Sequence, residues 1–181
     1  MRNLNKFSKI IFSLAAIFSC GNSLSSEPLW IDNWAILEHD VALENKNPII
    51  ISALGFAQDG KTKLSYSCTY NSENNFKRSS LGIILKEEIS ATNGTAAISF
   101  NTDKERGEFI ATGINRAEIS IDNLYFWDLL KNSKTITLSI EVRDAFSKGH
   151  KIVYVNNNLY FDLKKFKEVK SYTDKKCNLN N

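Results

Sequence analysis

The sequence predicts a mainly β fold, an antiparallel β-sandwich-like domain with two short helices, one of them C-terminal. Two observations carry this expectation. The middle of the chain alternates apolar and polar residues with a period of two, and the turn-forming pairs Asp59-Gly60 and Asn93-Gly94 stand between such runs.

The alternation is plainest in two places. In Lys63-Leu64-Ser65-Tyr66-Ser67-Cys68-Thr69-Tyr70 every second residue is apolar or aromatic, and Ile136, Leu138, Ile140 and Val142 interleave with Thr135, Thr137, Ser139 and Glu141. Strict alternation marks a strand with one face in the core. Further strands are expected over residues 48–56, 81–89, 95–100, 108–111, 116–121 and 151–155. Two-residue hairpins need positive φ, which Asp-Gly and Asn-Gly supply, so successive strands are expected to run antiparallel. The polar stretch 71–80, with its lone Phe76, reads as an exposed connection.

Two segments carry a helical period. Asp122 is placed to cap a helix over residues 123–131, with Leu124, Trp127 and Leu130 on one face. Asp162 is placed to cap a C-terminal helix with Leu163, Phe166 and Val169 on one face, ending near Cys177.

The N-terminus has the form of a secretion signal. Arg2, Lys6 and Lys9 precede the largely apolar run Ile10-Ile11-Phe12-Ser13-Leu14-Ala15-Ala16-Ile17-Phe18, followed by small and polar residues. That run is about half the roughly 20 residues that a spanning helix needs, and no later stretch comes closer. The organisation expected is a signal over residues 1–20 and a single β-rich domain over 21–181. Ile17-Phe18-Ser19-Cys20 resembles the lipobox of bacterial lipoproteins, in which the cysteine is acylated; Phe18 is larger than that pattern prefers. Two routes stay open, acylation at Cys20 or ordinary cleavage within residues 19–26. The expected location is the periplasm, or the outer membrane by way of that lipid.

Export bears on the cysteines. With Cys20 in the signal, Cys68 and Cys177 are left for the domain, and in an oxidising compartment the pair reads as a disulfide; two free buried thiols are the alternative. Charge bears on partners. The formal net charge is +3, but removing Arg2, Lys6 and Lys9 leaves 20 basic against 20 acidic side chains. A chain without excess positive charge lacks the phosphate attraction on which nucleic-acid binding leans, so neither DNA nor RNA is expected as a partner.

Several motifs invite sharper readings. Gly55-Phe56-Ala57-Gln58-Asp59-Gly60-Lys61-Thr62 fits the phosphate-loop pattern G-x-x-x-x-G-K-[ST]. That loop needs a helix after it, whereas the following residues alternate as a strand; the segment therefore reads as a hairpin turn and no nucleotide is expected. His39 and His150 are too few for most metal sites once the cysteines are bridged. No G-x-S-x-G turn presents a nucleophile to His39, and Asp40, its neighbour on a strand, points to the opposite face. No metal, cofactor or catalytic residue is expected. Lys164, Lys165, Lys167, Lys170, Lys175 and Lys176 suggest an anion-docking patch, but Asp162, Glu168 and Asp174 interrupt it, and a solvated helix face is the reading preferred.

Four stretches carry a family resemblance: Leu64-Ser65-Tyr66-Ser67-Cys68; Ile98-Ser99-Phe100-Asn101-Thr102-Asp103; Leu129-Leu130 with the 135–142 strand after it; and Phe161-Asp162-Leu163 leading to Cys177. Across the mature domain the chain thereby resembles the TagO or VasI accessory proteins of type VI secretion. It departs from them in lacking an arginine at Asn101-Thr102. The resemblance implies an exported, non-catalytic accessory domain with a protein partner in the bacterial cell envelope, and it hands over no catalytic residues. Two other classes stand beside it: an inhibitor or ligand-binding module for an envelope enzyme or polymer, and a hydrolase if His39 meets a serine or carboxylate in a cleft.

Overall fold

The computed structural model describes residues 27–40, 48–89, 94–144 and 151–179. The expected signal, Cys20, Asn93 and His150 lie outside the described residues. The chain begins with a meander of five strands, β1 (Leu29–Ile31), β2 (Trp34–Asp40), β3 (Ile49–Phe56), β4 (Lys63–Asn71) and β5 (Phe76–Ile84). It crosses to a second sheet for β6 (Gly94–Thr102) and β7 (Arg106–Ala111), and returns to the first for β8 (Gly113–Asn115) and β9 (Glu118–Ile121). Helix α1 (Leu124–Asn132) leads back to the second sheet for β10 (Thr135–Asp144) and β11 (Ile152–Asp162), and α2 (Phe166–Lys176) follows. The sheets have strand orders β1-β2-β3-β4-β5-β9-β8 and β11-β10-β6-β7, and every pairing is antiparallel. The mainly β, sandwich-like architecture is the one that the alternation predicts.

One core lies between the sheets. Ile36, Ile51, Leu64, Tyr66, Leu81, Ile83 and Ile119 from the first face Ile98, Phe100, Ile136, Leu138, Ile140 and Phe161 from the second. Both helices plug this layer, α1 through Phe126, Leu129 and Leu130, and α2 through Phe166 and Val169. Burying each such side chain contributes roughly 1.5–3 kcal/mol, so the aromatic residues that meet here, Trp34 with Phe166 and Phe109 with Phe126, dominate the cohesion of this end.

Five local expectations are corrected. The stretch 76–80, read as a loop, is the first half of β5, and that strand ends at Ile84 rather than 89. Residues 116–121 are not one strand, because Arg116 takes φ 52° in the tight turn between β8 and β9. The cap of α1 is Asn123 rather than Asp122: its side chain accepts from the Phe126 N–H at 3.0 Å. Asp162 does not cap α2. It is the last residue of β11, paired with Thr135, and its carboxylate accepts from the Lys164 N–H at 3.0 Å, so the helix starts four residues later with Leu163 buried ahead of it. Finally, β11 runs well past residue 155, to Asp162.

Candidate functional site

Cys68 of β4 and Cys177 at the end of α2 form a disulfide across 109 residues, with Cα atoms 6.2 Å apart and both residues buried. The bridge fits an oxidising, non-cytoplasmic location. It ties the last helix to the first sheet, and three polar contacts reinforce the tie. Lys176 pairs with Glu38 at 2.9 Å, Lys77 donates to the Asn178 carbonyl at 2.6 Å, and the Tyr66 hydroxyl donates to the Asp174 carboxylate.

The last contact belongs to a compact group. Lys170 Nζ lies 2.5 Å from the second carboxylate oxygen of Asp174 and 5.1 Å over the Tyr66 ring, and Tyr66 meets Trp127 of α1 edge to face at 5.3 Å. Burial pushes the Tyr66 hydroxyl far above the ordinary tyrosine range; the hydrogen bond to Asp174 and its negative charge push the same way, and a hydrogen bond with Ser79 opposes them.

Lys170 and Trp127 of this group line a cleft of about 590 Å3, within the range of small-molecule pockets. One wall is β5, with Arg78, Ser79, Ser80 and Leu81; the end of β9 adds Ser120, Ile121 and Asp122. The other wall is α1, with Leu124, Trp127, Asp128 and Lys131, and α2 contributes Lys170. Lys131 is neutralised by Asp128 at 2.5 Å, and Lys170 by Asp174. Among the described residues the side chains of Arg78 and Asp122 have no such partner. Leu124, 82% exposed, stands at the rim.

A second concavity, about 550 Å3 and shallower, lies on the outer face of the four-stranded sheet. The register sets Tyr160, Thr137, Asn101 and Arg106 in one row and Ser139, Ser99 and Glu108 in the next, so the hollow is floored by hydrogen-bonding side chains.

The phosphate-loop match resolves into structure. Gly60 takes φ 66° in the turn between β3 and β4, but the connection runs over residues 57–62 and is longer than the two-residue hairpin expected of the Asp-Gly pair. The Asp59 carboxylate occupies the donors on which such a loop relies: it accepts from the N–H groups of Lys61 at 2.9 Å and Thr62 at 2.8 Å, and from the Thr62 hydroxyl at 2.7 Å. Partial burial raises the Asp59 carboxyl, but these hydrogen bonds outweigh it and hold it below the usual range. Gly55 serves packing, since a Cβ there would lie 2.7 Å from the Trp34 ring.

His39 lies on β2 opposite Ile50, and His150 is outside the described residues. Among the described residues no three His, Cys, Asp or Glu side chains cluster as a metal site, and no helix is long and apolar enough to cross a membrane. Lys164, Lys165, Lys170 and Lys176 each pair with a carboxylate, the first two with Asp162 and Glu168. Sequence reasoning missed the cleft: it reads Arg78 as part of a loop, whereas β5 carries it to the cleft wall, while Tyr66 is core as the alternation predicts. No protein-family model, no curated protein and no solved structure matches the chain.

Proposed function

We propose that the chain is an exported, non-catalytic binding or accessory protein of a bacterial cell envelope, acting through the cleft between β5 and the two helices. The observation that carries this reading is the cleft's make-up. A disulfide-anchored helix and an aromatic wall give it a fixed shape, while Arg78 and Asp122 offer charges that nothing among the described residues neutralises. Its hydroxyl groups, Ser79, Ser80 and Ser120, have no histidine beside them among the described residues of the lining, which suits recognition better than hydrolysis. By the resemblance to TagO and VasI proteins, the setting proposed is type VI secretion. The location is the periplasm, or the outer membrane if Cys20 is acylated.

A second reading rests on the other concavity. Two rows of Ser, Thr, Asn, Arg and Glu with Tyr160 at one end suit a hydroxyl-rich envelope polymer, as a ligand-binding module would need.

One experiment separates them. The mature wild-type protein, a cleft variant (Trp127→Ala with Lys131→Glu) and a sheet-face variant (Asn101→Ala with Thr137→Ala) are used to pull partners from native envelopes, with identification by mass spectrometry and by muropeptide analysis. The cleft reading expects an envelope assembly protein to be recovered with the wild type and the sheet-face variant, and lost by about tenfold or more with the cleft variant. Recovery of peptidoglycan, lost only with the sheet-face variant, would replace it by the second reading.

A further inference from the structure

The cleft sits where the first sheet is missing part of a strand. β5 spans Phe76–Ile84 and pairs with β4 along its whole length, but β9 covers only Leu81–Ile84 on the other side. At Asp122 the chain leaves the sheet to enter α1, so the track beside Phe76–Ser80 is vacant among the described residues, and Arg78, Ser79 and Ser80 are exposed. Every second residue of such an edge aims its backbone N–H and C=O into the vacancy, and an edge of this kind is a ready template for another strand. The vacancy is about 16 Å long at roughly 3.3 Å per residue, and α1 forms its far wall.

We propose that this vacancy takes an extended segment of another protein, added to the Phe76–Ser80 edge of β5 in the space beside α1. The proposal rests on the reading of the cleft as the contact site and names how it binds. The charges choose the occupant. Two copies of this chain paired antiparallel over Phe76–Ser80 would set Arg78 opposite Arg78 of the other copy, and like charges opposite one another destabilise a ladder. A partner segment with an acidic side chain at Arg78 has no such conflict.

The pairing of β9 sets the direction. A segment that continues the course of β9, antiparallel to β5, starts beside Asp122 and passes Ser80, Ser79 and Arg78 in that order. A basic residue or free amino end then meets Asp122, and an acidic residue two positions later meets Arg78. The residue between them lies opposite Ser79, which shares a face with Leu81 and is paired with the buried Cys68, so its side chain enters the layer between sheet and helices toward Trp127. The recognition element is a basic, apolar, acidic triplet in extended conformation. Main-chain pairing supplies affinity and the alternate side chains supply specificity.

The test selects phage-displayed random peptides on the mature, oxidised protein, and then follows the binding of the selected peptides by amide hydrogen exchange. The expected result is enrichment of the triplet, with exchange of the 76–80 amides slowed on binding. N-methylation of alternate peptide amides is expected to weaken binding by about tenfold for each pair of lost hydrogen bonds. Arg78→Glu is expected to exchange the preferred acidic residue for a basic one. The proposal is overturned if no peptide is enriched, if bound peptides leave the 76–80 amides unchanged, or if N-methylation has no effect. It is also overturned if those of the 76–80 amides that do not bond β4 are already protected in the isolated protein, which would assign the track to this chain's own residues. Protection that grows with protein concentration alongside a sedimenting dimer would assign it to a second copy. Should the cleft variant lose its envelope partner while peptides leave 76–80 unprotected, the contact site stands and strand addition alone fails.

Discussion

The Tyr66 hydroxyl donates a hydrogen bond to the Asp174 carboxylate across 108 residues of sequence, joining the middle of the first sheet to the last helix. Asp174 is 8% exposed and also takes Lys170, so one carboxylate serves a buried phenol and an ammonium that lies over the phenol's ring. Together with the bridge from Cys68 to Cys177, this contact fixes where α2 sits and hence where the cleft opens.

Removing that hydroxyl tests the contact on its own. Tyr66→Phe keeps the ring and its packing on Trp127 but leaves Asp174 one donor short, and it is expected to cost about 1–2 kcal/mol by urea denaturation. In the same variant set, Asp174→Asn is expected to show coupling with Tyr66→Phe in a double-mutant cycle, whereas additive effects would separate the two residues energetically.

The same tyrosine sets an alkaline limit. Its hydroxyl titrates higher in the folded chain than in the unfolded one, chiefly through burial. The contribution is therefore fully present below the ordinary tyrosine pKa of about 10 and is lost as pH rises above it, because only the unfolded state then gains by releasing the proton. Urea midpoints measured from pH 8 upward are expected to fall above about pH 10, and to fall less steeply in Tyr66→Phe.

Reduction tests the bridge. A closed loop of 109 residues predicts stabilisation of about 4–5 kcal/mol in the chain-entropy model, and native bridges deliver about 2–5 in practice. Cys177→Ser, or the wild type in dithiothreitol, is expected to lose an amount in that range, with amide exchange in α2 rising first.

The hairpin that mimics a phosphate loop gives a structural prediction. Gly55→Ala is expected to destabilise by about 1–3 kcal/mol, because the new Cβ would overlap Trp34 at 2.7 Å and the core must yield. Gly60→Ala meets nothing within 4 Å, and its cost of about 1 kcal/mol comes from φ 66° alone. Equal effects at the two positions would contradict these separate roles.

How much of this was legible in the sequence follows from which faces are buried. β4 and β10 alternate because one face meets the core and the other does not. β2 escaped because Ala35 and Leu37 are buried on the opposite face from Trp34 and Ile36, so Trp34-Ala35-Ile36-Leu37 is a continuous apolar run without a period. The first half of β5 escaped for the opposite reason: Ser79 points into an open cleft rather than a core, so Lys77-Arg78-Ser79-Ser80 carries no apolar signal. The start of α2 was misplaced because Asp162 looks like a cap, while its backbone is held in β11 by pairing with Thr135. The cleft itself joins Arg78, Trp127 and Lys170, and no local pattern records such a meeting.

Site-specific photo-crosslinking in native envelopes tests the contact site most directly. A photoreactive side chain at Lys131, on the cleft wall, and one at Asn101, on the outer face of the other sheet, are compared in the disulfide-bonded protein. The account predicts a discrete crosslinked protein from position 131 that disappears on reduction of the bridge, and none from position 101. Crosslinking from position 101 alone would contradict it.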